Sequence, residues 1–337
     1  MAGRTAHPIA LAREISDGVL FPGALEVDLS EVVPVERLDR LAAAGLYGLA
    51  GPPEAGGMGL ADMATAHEII EILASGCLTT TFVWLQHHGA VRALVDASPV
   101  LRDAWLARLC TGATRAGIAF SGLRRPGPPI LTAVPDGQGW RFHGFAPWVT
   151  GWGRIDVLRA AARREDGDIV WALVDATSGP TLHAEPLRLA AVNASATVTL
   201  WFDSHLVPPD RVISVQPFDE WQAADRASLR LNGSLALGVA RRCASLLESD
   251  TLAAELHARR RALDQASPDA MPEQRARASE LALRAAATLV VAGGGRAIAL
   301  DHHAQRLARE ALFLLVFGQT AAIKAAQLHR LYDESHD

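Results

Sequence analysis

The periodicity of this chain changes twice, and those two changes constrain its fold more than any single motif does. Up to about residue 115 apolar residues recur at helical spacing. Residues 34–45 run from a proline near the start to a closing glycine. Residues 61–73 place Met63, His67, Ile70 and Leu73 on one face, with Glu68 and Glu71 on others. A glycine-rich bend, GPPEAGGMGL (51–60), separates the two. From about 116 to 216 the period shortens. Runs at 117–121, 139–149, 168–174, 197–202 and 211–215 are β-prone and separated by turn residues such as Pro135-Asp-Gly-Gln-Gly139. From 217 onward the texture is helical again, with segments at 223–250, 251–265, 272–291 and 300–331. The expectation is an α+β chain of three domains: 1–115 helical, 116–216 an antiparallel β-domain, and 217–337 a helical bundle.

Within the β-zone, residues 140–156 read WRFHGFAPWVTGWGRID. A strand carrying Trp148 and, two residues on, Thr150 should present both to one side, because side chains alternate along a strand. An indole face beside a hydroxyl suits a flat heteroaromatic with polar edges; a buried core tryptophan on an ordinary strand is the plainer alternative.

Composition removes several function classes. A net charge of −5 with interspersed signs leaves no footprint for nucleic acid and no polybasic cluster for a membrane. Arg13, Glu14 and Asp17 interrupt the first twenty residues, so no signal-peptide core is expected, and Arg284 and Arg296 bracket an apolar stretch too short for a bilayer. Cys77, Cys110 and Cys243 form no metal or redox spacing, which predicts reduced cysteines in a cytoplasmic protein and no metal site.

The order of zones and four local motifs resemble the acyl-CoA dehydrogenase family of flavoproteins. The motifs are the Pro-Glu-x-Gly-Gly-like bend at 51–60, Ala119-Phe-Ser-Gly122 at a strand end, Trp148-Val-Thr150 followed by Ile155-Asp156, and Phe202-Asp-Ser-His-Leu-Val-Pro208. The resemblance implies FAD at the seam of the β-domain and the C-terminal helices. Ser121 and Thr150 would bond the flavin edge, Trp148 would pack on the ring, and Thr320 would join them. Gly293, Gly294, Gly295 and Arg296 would approach the diphosphate across a subunit interface, the glycines permitting close backbone approach. It further implies an acyl-CoA or acyl-carrier thioester as ligand and a homo- or hetero-oligomer with a chain of the same family.

Two departures stand out. The family's base, a Glu before Gly-Thr, aligns with Gly318, which cannot take a proton. On the earlier helix the alternative slot is Ser228 or Leu229, and Asp225, one turn before, is the nearest carboxylate; its plainer reading is a first-turn aspartate on the helix dipole. The Arg-x-x-Phe-Gly stretch that grips a partner's FAD is also missing, leaving Arg241, Arg242 or Arg259 as substitutes or as solvated arginines. His87-His88, expected at a partly exposed helix end, and His302-His303, at a helix start, are further candidates. Three readings remain open: a dehydrogenase of acyl thioesters with a displaced base, a base-less subunit of a hetero-oligomer, and a flavin-dependent hydroxylase or oxidase.

Overall fold

The computed structural model of the chain describes residues 3–60 and 62–332. The N-terminal part holds α1 (Gly3–Ile15), α2 (Ala24–Leu29), α3 (Val35–Ala43), α4 (Met63–Gly76), α5 (Leu78–Gln86), α6 (His88–Val95) and α7 (Pro99–Cys110). The helix expected over 61–73 starts at Met63, with Asp62 as its N-cap accepting from the Thr65 amide at 2.7 Å; Ala61 lies outside the described residues, as do the domain ends 1–2 and 333–337. Every residue of α5 is buried, which makes it the axis of this part. It packs against α2, α3, α4 and α6, against the later helix Leu229–Leu246, and against the first strand of the sheet that follows.

Eight strands follow: β1 (Ala116–Ala119), β2 (Leu131–Asp136), β3 (Gly139–Val149), β4 (Val157–Arg163), β5 (Ile169–Asp175), β6 (Leu182–Pro186), β7 (Val198–Val207) and β8 (Val212–Gln216). They form one sheet in the order β6-β7-β3-β2-β4-β5-β8, with β1 beside β4. Most pairs are antiparallel, but β1 and β2 each run parallel to β4, so the expected antiparallel domain is in fact mixed. β2, β4 and β6 were not foreseen. β4 reads Val-Leu-Arg-Ala-Ala-Ala-Arg, a helix-forming composition that becomes a strand because both faces are covered.

The C-terminal part comprises α8 (Phe218–Ala227), α9 (Leu229–Leu246), α10 (Asp250–Gln265), α11 (Met271–Gly293), α12 (His303–Val316) and α13 (Ala321–Tyr332). Two helices expected as single are broken. The 223–250 segment breaks at Ser228, and the 300–331 segment breaks at 317–320, where Gly318 takes a left-handed φ of 61° that ends any L-residue helix. Helix α11 with its continuation to Ile298 is long and apolar enough to reach across a bilayer, but it carries Arg275, Arg277 and Arg284 and packs on α9 and α12 inside the bundle. N- and C-terminal helices share one hydrophobic core, built around Leu73, Trp84, Leu237, Ala282 and Leu307; the sheet has its own, around Phe142, Leu158 and Leu200. The architecture is therefore helices, mixed sheet, helices, in chain order.

Candidate functional site

Where the sheet meets the C-terminal helices the chain leaves a cavity of about 770 Å³. Its sheet side comes from the end of β1, the turn and proline-rich loop after it, and inward-facing residues of β3 and β4. Its helical side comes from α8, the start of α9, the 268–272 loop and the start of α13. Phe120, Phe145, Trp221 and Leu229 give it apolar walls. Its charged lining residues are Arg124, Arg125, Arg163 and Arg226 against Asp225 and Asp269, four positive and two negative, so the cavity favours an anionic ligand.

Arg124 and Asp225 face each other across this space. Nε donates to Oδ2 at 2.8 Å and Nη2 to Oδ1 at 2.6 Å, a two-pronged pair joining the β-domain to α8. Asp225 thus sits in the last turn of α8 rather than in a first turn, where the helix dipole opposes a carboxylate and Arg124 offsets it. Ser228 closes α8 by donating to the Asp225 carbonyl at 2.7 Å and carries no basic group.

Of the residues expected at the flavin edge only Thr320 lines the cavity; Ser121, Trp148 and Thr150 do not, although Phe120, Gly122 and Ala146, close to them in sequence, do. Between Ala146 and Val149, β3 holds one residue more than its partner β7, and Trp148 adopts a φ of 60°. That bulge breaks the alternation: Trp148 turns outward with 55% exposure, while Thr150 is buried. Thr150 Oγ1 lies 3.1 Å from Thr197 Oγ1, which lies 2.8 Å from Ser195 Oγ. Three hydroxyls joined by two links keep one proton to donate elsewhere. The Ser121 hydroxyl donates to the Pro147 carbonyl and so ties the end of β1 to the bulge. Thr320 lines the cavity, and its hydroxyl accepts from the Ile323 amide at 3.2 Å, which caps α13.

Gly318 stands two residues earlier. A Cβ there would lie 2.6 Å from Asn232 Nδ2, on a backbone that L-residues rarely adopt. The glycine is part of the local geometry, not a truncated glutamate. Gly293 to Arg296 are exposed at the opposite end of α11 from Pro272, which lines the cavity; 21 residues of helix separate them by about 30 Å. Within one chain these glycines and the cavity cannot share the ring of one ligand.

The other candidates are accounted for structurally. His87 and His88 are buried rather than at an exposed helix end. His87 Nδ1 accepts from the Ala116 amide at 3.0 Å and its Nε2 bonds the Leu109 carbonyl at 3.1 Å, pinning α7 and β1; burial pushes its pKa down to about 3. His302 caps α12 through the Ala304 amide, and His303 stacks on Phe21 at 4.2 Å. Arg241 reaches Glu71, and Arg242 bonds Asp17 at 2.5 Å and the Ser75 carbonyl at 2.8 Å, so both are engaged in internal pairs. Among the described residues no group of three or more His, Cys, Asp or Glu is placed to hold a metal.

Residue 124, which adjoins the cavity and holds Asp225, carried no sequence signal, because its partner lies 101 positions away.

Residues 9–113 match the acyl-CoA dehydrogenase N-terminal domain. The human mitochondrial short-chain specific acyl-CoA dehydrogenase is 25% identical over 211 residues, 60% of this chain and 51% of that protein. The cyclohex-1-ene-1-carbonyl-CoA dehydrogenase of Syntrophus aciditrophicus is 26% identical over 50% of this chain and 39% of its own length. The chain therefore spans about half the length, or less, of these curated relatives. In fold the likeness extends further. Butyryl-CoA dehydrogenase from Megasphaera elsdenii superposes with a TM-score of 0.83 over 98% of both chains, at 16% identity. A glutaryl-coenzyme A dehydrogenase in complex with glutaryl-CoA superposes at 0.84 over 97% of this chain and 95% of that one, at 17% identity. Residues 9–113 thus resemble the N-terminal domain of acyl-CoA dehydrogenases, and the described chain shares their fold of helices, sheet and helices.

Proposed function

We propose that the chain is an FAD-dependent oxidoreductase of the acyl-CoA dehydrogenase type, taking an acyl thioester, on CoA or an acyl carrier, into the seam cavity. The observation that carries this reading is the cavity itself: about 770 Å³, apolar-walled, net positive, and bounded on one side by a carboxylate. The residues present suit a flavin. Trp148 offers an exposed indole face two residues beyond the lining residue Ala146, the Thr150–Thr197–Ser195 hydroxyl chain retains one proton to donate, and the positive lining suits phosphate. FAD, when bound, supplies the hydride acceptor.

The chain's own contribution is binding, exclusion of water and proton custody. Phe120, Phe145, Trp221 and Leu229 shield an acyl chain from solvent. Asp225 is the carboxylate best placed to hold an α-proton, and both of its oxygens are held by Arg124. Each oxygen keeps a second lone-pair site beyond its bond to Arg124, so Arg124 fixes the orientation in which Asp225 would receive a proton. Gly318 cannot serve, and the other carboxylate lining the cavity is Asp269, in the loop before α11.

A base-less subunit working beside a complete homologue is the second reading, and one observation favours it. Val291, Ile298 and Leu300 are all more than half exposed around the Gly293 end of α11. That apolar end fits a subunit contact, homo- or hetero-oligomeric. A hydroxylase or oxidase gains no support, because no histidine lines the cavity among the described residues. The three cysteines are free and buried, in keeping with a cytoplasmic protein.

The test is anaerobic mixing of the flavin-loaded protein with acyl-CoA, following the visible flavin band. Asp225→Asn should slow bleaching by about 10²-fold or more. Bleaching at an unchanged rate would remove Asp225 from the mechanism and move the proton acceptor to a partner chain.

A further inference from the structure

The cavity wall between β1 and β2 is built differently from the rest. Residues 122–131, Gly-Leu-Arg-Arg-Pro-Gly-Pro-Pro-Ile-Leu, line the cavity without a gap. Leu123 is buried in one cluster with Trp221, and the Arg125 amide donates to the Gly122 carbonyl at 3.2 Å, which roots one end. At the other end the Ile130 carbonyl accepts from the Phe145 amide at 2.9 Å. Residues 126–129 between these roots make no hydrogen bond among the described residues, and Arg125 to Pro129 are all exposed. Gly127, at a φ of 96°, stands clear: a Cβ there would meet nothing within 4 Å. The two roots adjoin, since a Cβ at Gly122 would lie 2.9 Å from Ile130 Cδ1. A segment whose ends touch and whose body is unbonded can turn about its roots. Pro126, Pro128 and Pro129 fix their own φ, so it turns as a stiff piece.

One hydrogen-bonded contact among the described residues ties this segment to the helical side. Arg124 gives Asp225 of α8 two donors, at 2.8 and 2.6 Å, and the paired side chains are 22% and 11% exposed. That shielding makes the pair stronger than a surface ion pair, yet it remains one contact that is made or broken as a unit. Release of Arg124 frees the segment from α8 and leaves the Asp225 carboxylate unheld.

We propose that residues 124–130 are a flap over the cavity and that the Arg124–Asp225 pair is its clasp, open while a ligand enters or leaves and made while the ligand is held. Closing the flap and orienting Asp225 are then one event, so water is shut out as the carboxylate is set. The identity of the ligand rests on the flavin reading; the clasp rests on the geometry alone.

Stopped-flow mixing of the flavin-free protein with FAD reads entry, and dilution of the loaded protein reads exit. Both should be at least about tenfold faster in Arg124→Met than in the wild type, the scale of one lost charge-assisted contact. Arg124→Lys, which keeps the charge but loses the fork, should fall between. Loss of a mere ligand contact would speed exit alone. Equal rates, or faster exit with unchanged entry, overturn the proposal. Limited trypsin digestion tests the clasp without a ligand. Trypsin cuts after arginine but not before proline, which leaves the bond between Arg124 and Arg125 as its site in the flap. In Asp225→Ala that bond should be cut at least about tenfold faster than in the wild type, because cleavage follows the population of the released form. Arginine sites elsewhere should keep their wild-type rates; a general rise would mean that the variant unfolds, and Asp225→Asn then takes its place. Cutting in the flap that is no faster means that the pair holds nothing, and the proposal is wrong. If FAD fails to bind while the digest speeds up as expected, the clasp stands and the flavin reading falls.

Discussion

Arg306 and Arg275 sit on adjoining helices of one bundle, at 1% and 2% exposure, in opposite electrostatic circumstances. Arg306 bonds Glu310 one turn along α12, and Arg309 beside it bonds Asp28 of α2 and the Ala190 carbonyl. Glu71, equally buried on α4, takes Arg260 and Arg241. Charge between the N- and C-terminal helices is closed on itself. Toward the seam the pattern changes. Arg275 has no anion, Arg163 lies over the Phe218 ring at 3.9 Å with Nε unpaired, and the cavity lining is net positive. The contrast separates two circumstances of buried charge: inside the helical core each cation meets an anion, whereas toward the seam Arg275 has none among the described residues.

The largest effect that can break this contrast is removal of Glu310. Glu310→Ala leaves Arg306 buried and alone, and it should cost about 3–5 kcal/mol in urea unfolding. A loss no larger than that of a surface substitution would mean that Arg306 relaxes to water, and that Arg275 could do the same.

Acid should act on the core before the seam. Burial depresses His87 to about 3 and His67 and His303 to about 4, with neighbouring arginines adding to the effect at His67 and His303. A histidine whose folded pKa lies below the unfolded value of about 6.5 binds fewer protons when folded. Stability is therefore full above about pH 6.5 and falls as the pH drops toward 4. His87 alone contributes a slope of up to about 1.4 kcal/mol per pH unit in that window. His87→Gln should flatten the acid limb of a stability profile; an unchanged limb would show that the ring is not held neutral.

The smallest of these effects sharpens the seam side. Gly318→Glu places a carboxylate at the family's usual position but on a left-handed backbone beside Asn232. It should cost about 1–2 kcal/mol and leave flavin bleaching by acyl-CoA no faster. Faster bleaching would show that the loop readily takes up a base.

Much of the fold was legible in the sequence because its periodicities are strong. The bounds of β3 were read as 139–149 and are found there, since turn residues flank an aromatic run. β4 escaped because alanine-rich composition speaks for a helix, and only cover on both faces overrules it. The break at 317–320 escaped because a glycine in a long apolar run does not announce its φ. Trp148 and Thr150 read as one face of a strand, yet a one-residue bulge sends them to different environments. Arg275 was invisible for a different reason. Arg275-Ala-Arg277 looks like one edge of an amphipathic helix, and the absence of a partner is a property of space, not of spacing. The sequence puts Asp225 in a first turn, whereas it sits in the last turn of α8, bonded to Arg124.

The most direct test of the open seam is equilibrium binding of FAD, read from the visible spectrum after dialysis of the purified protein against excess cofactor. The account predicts one flavin per chain, with affinity reduced at least about fivefold in Trp148→Ala, the scale of one aromatic contact. A protein that dialyses colourless, or a Trp148→Ala variant that binds as tightly as the wild type, would contradict it.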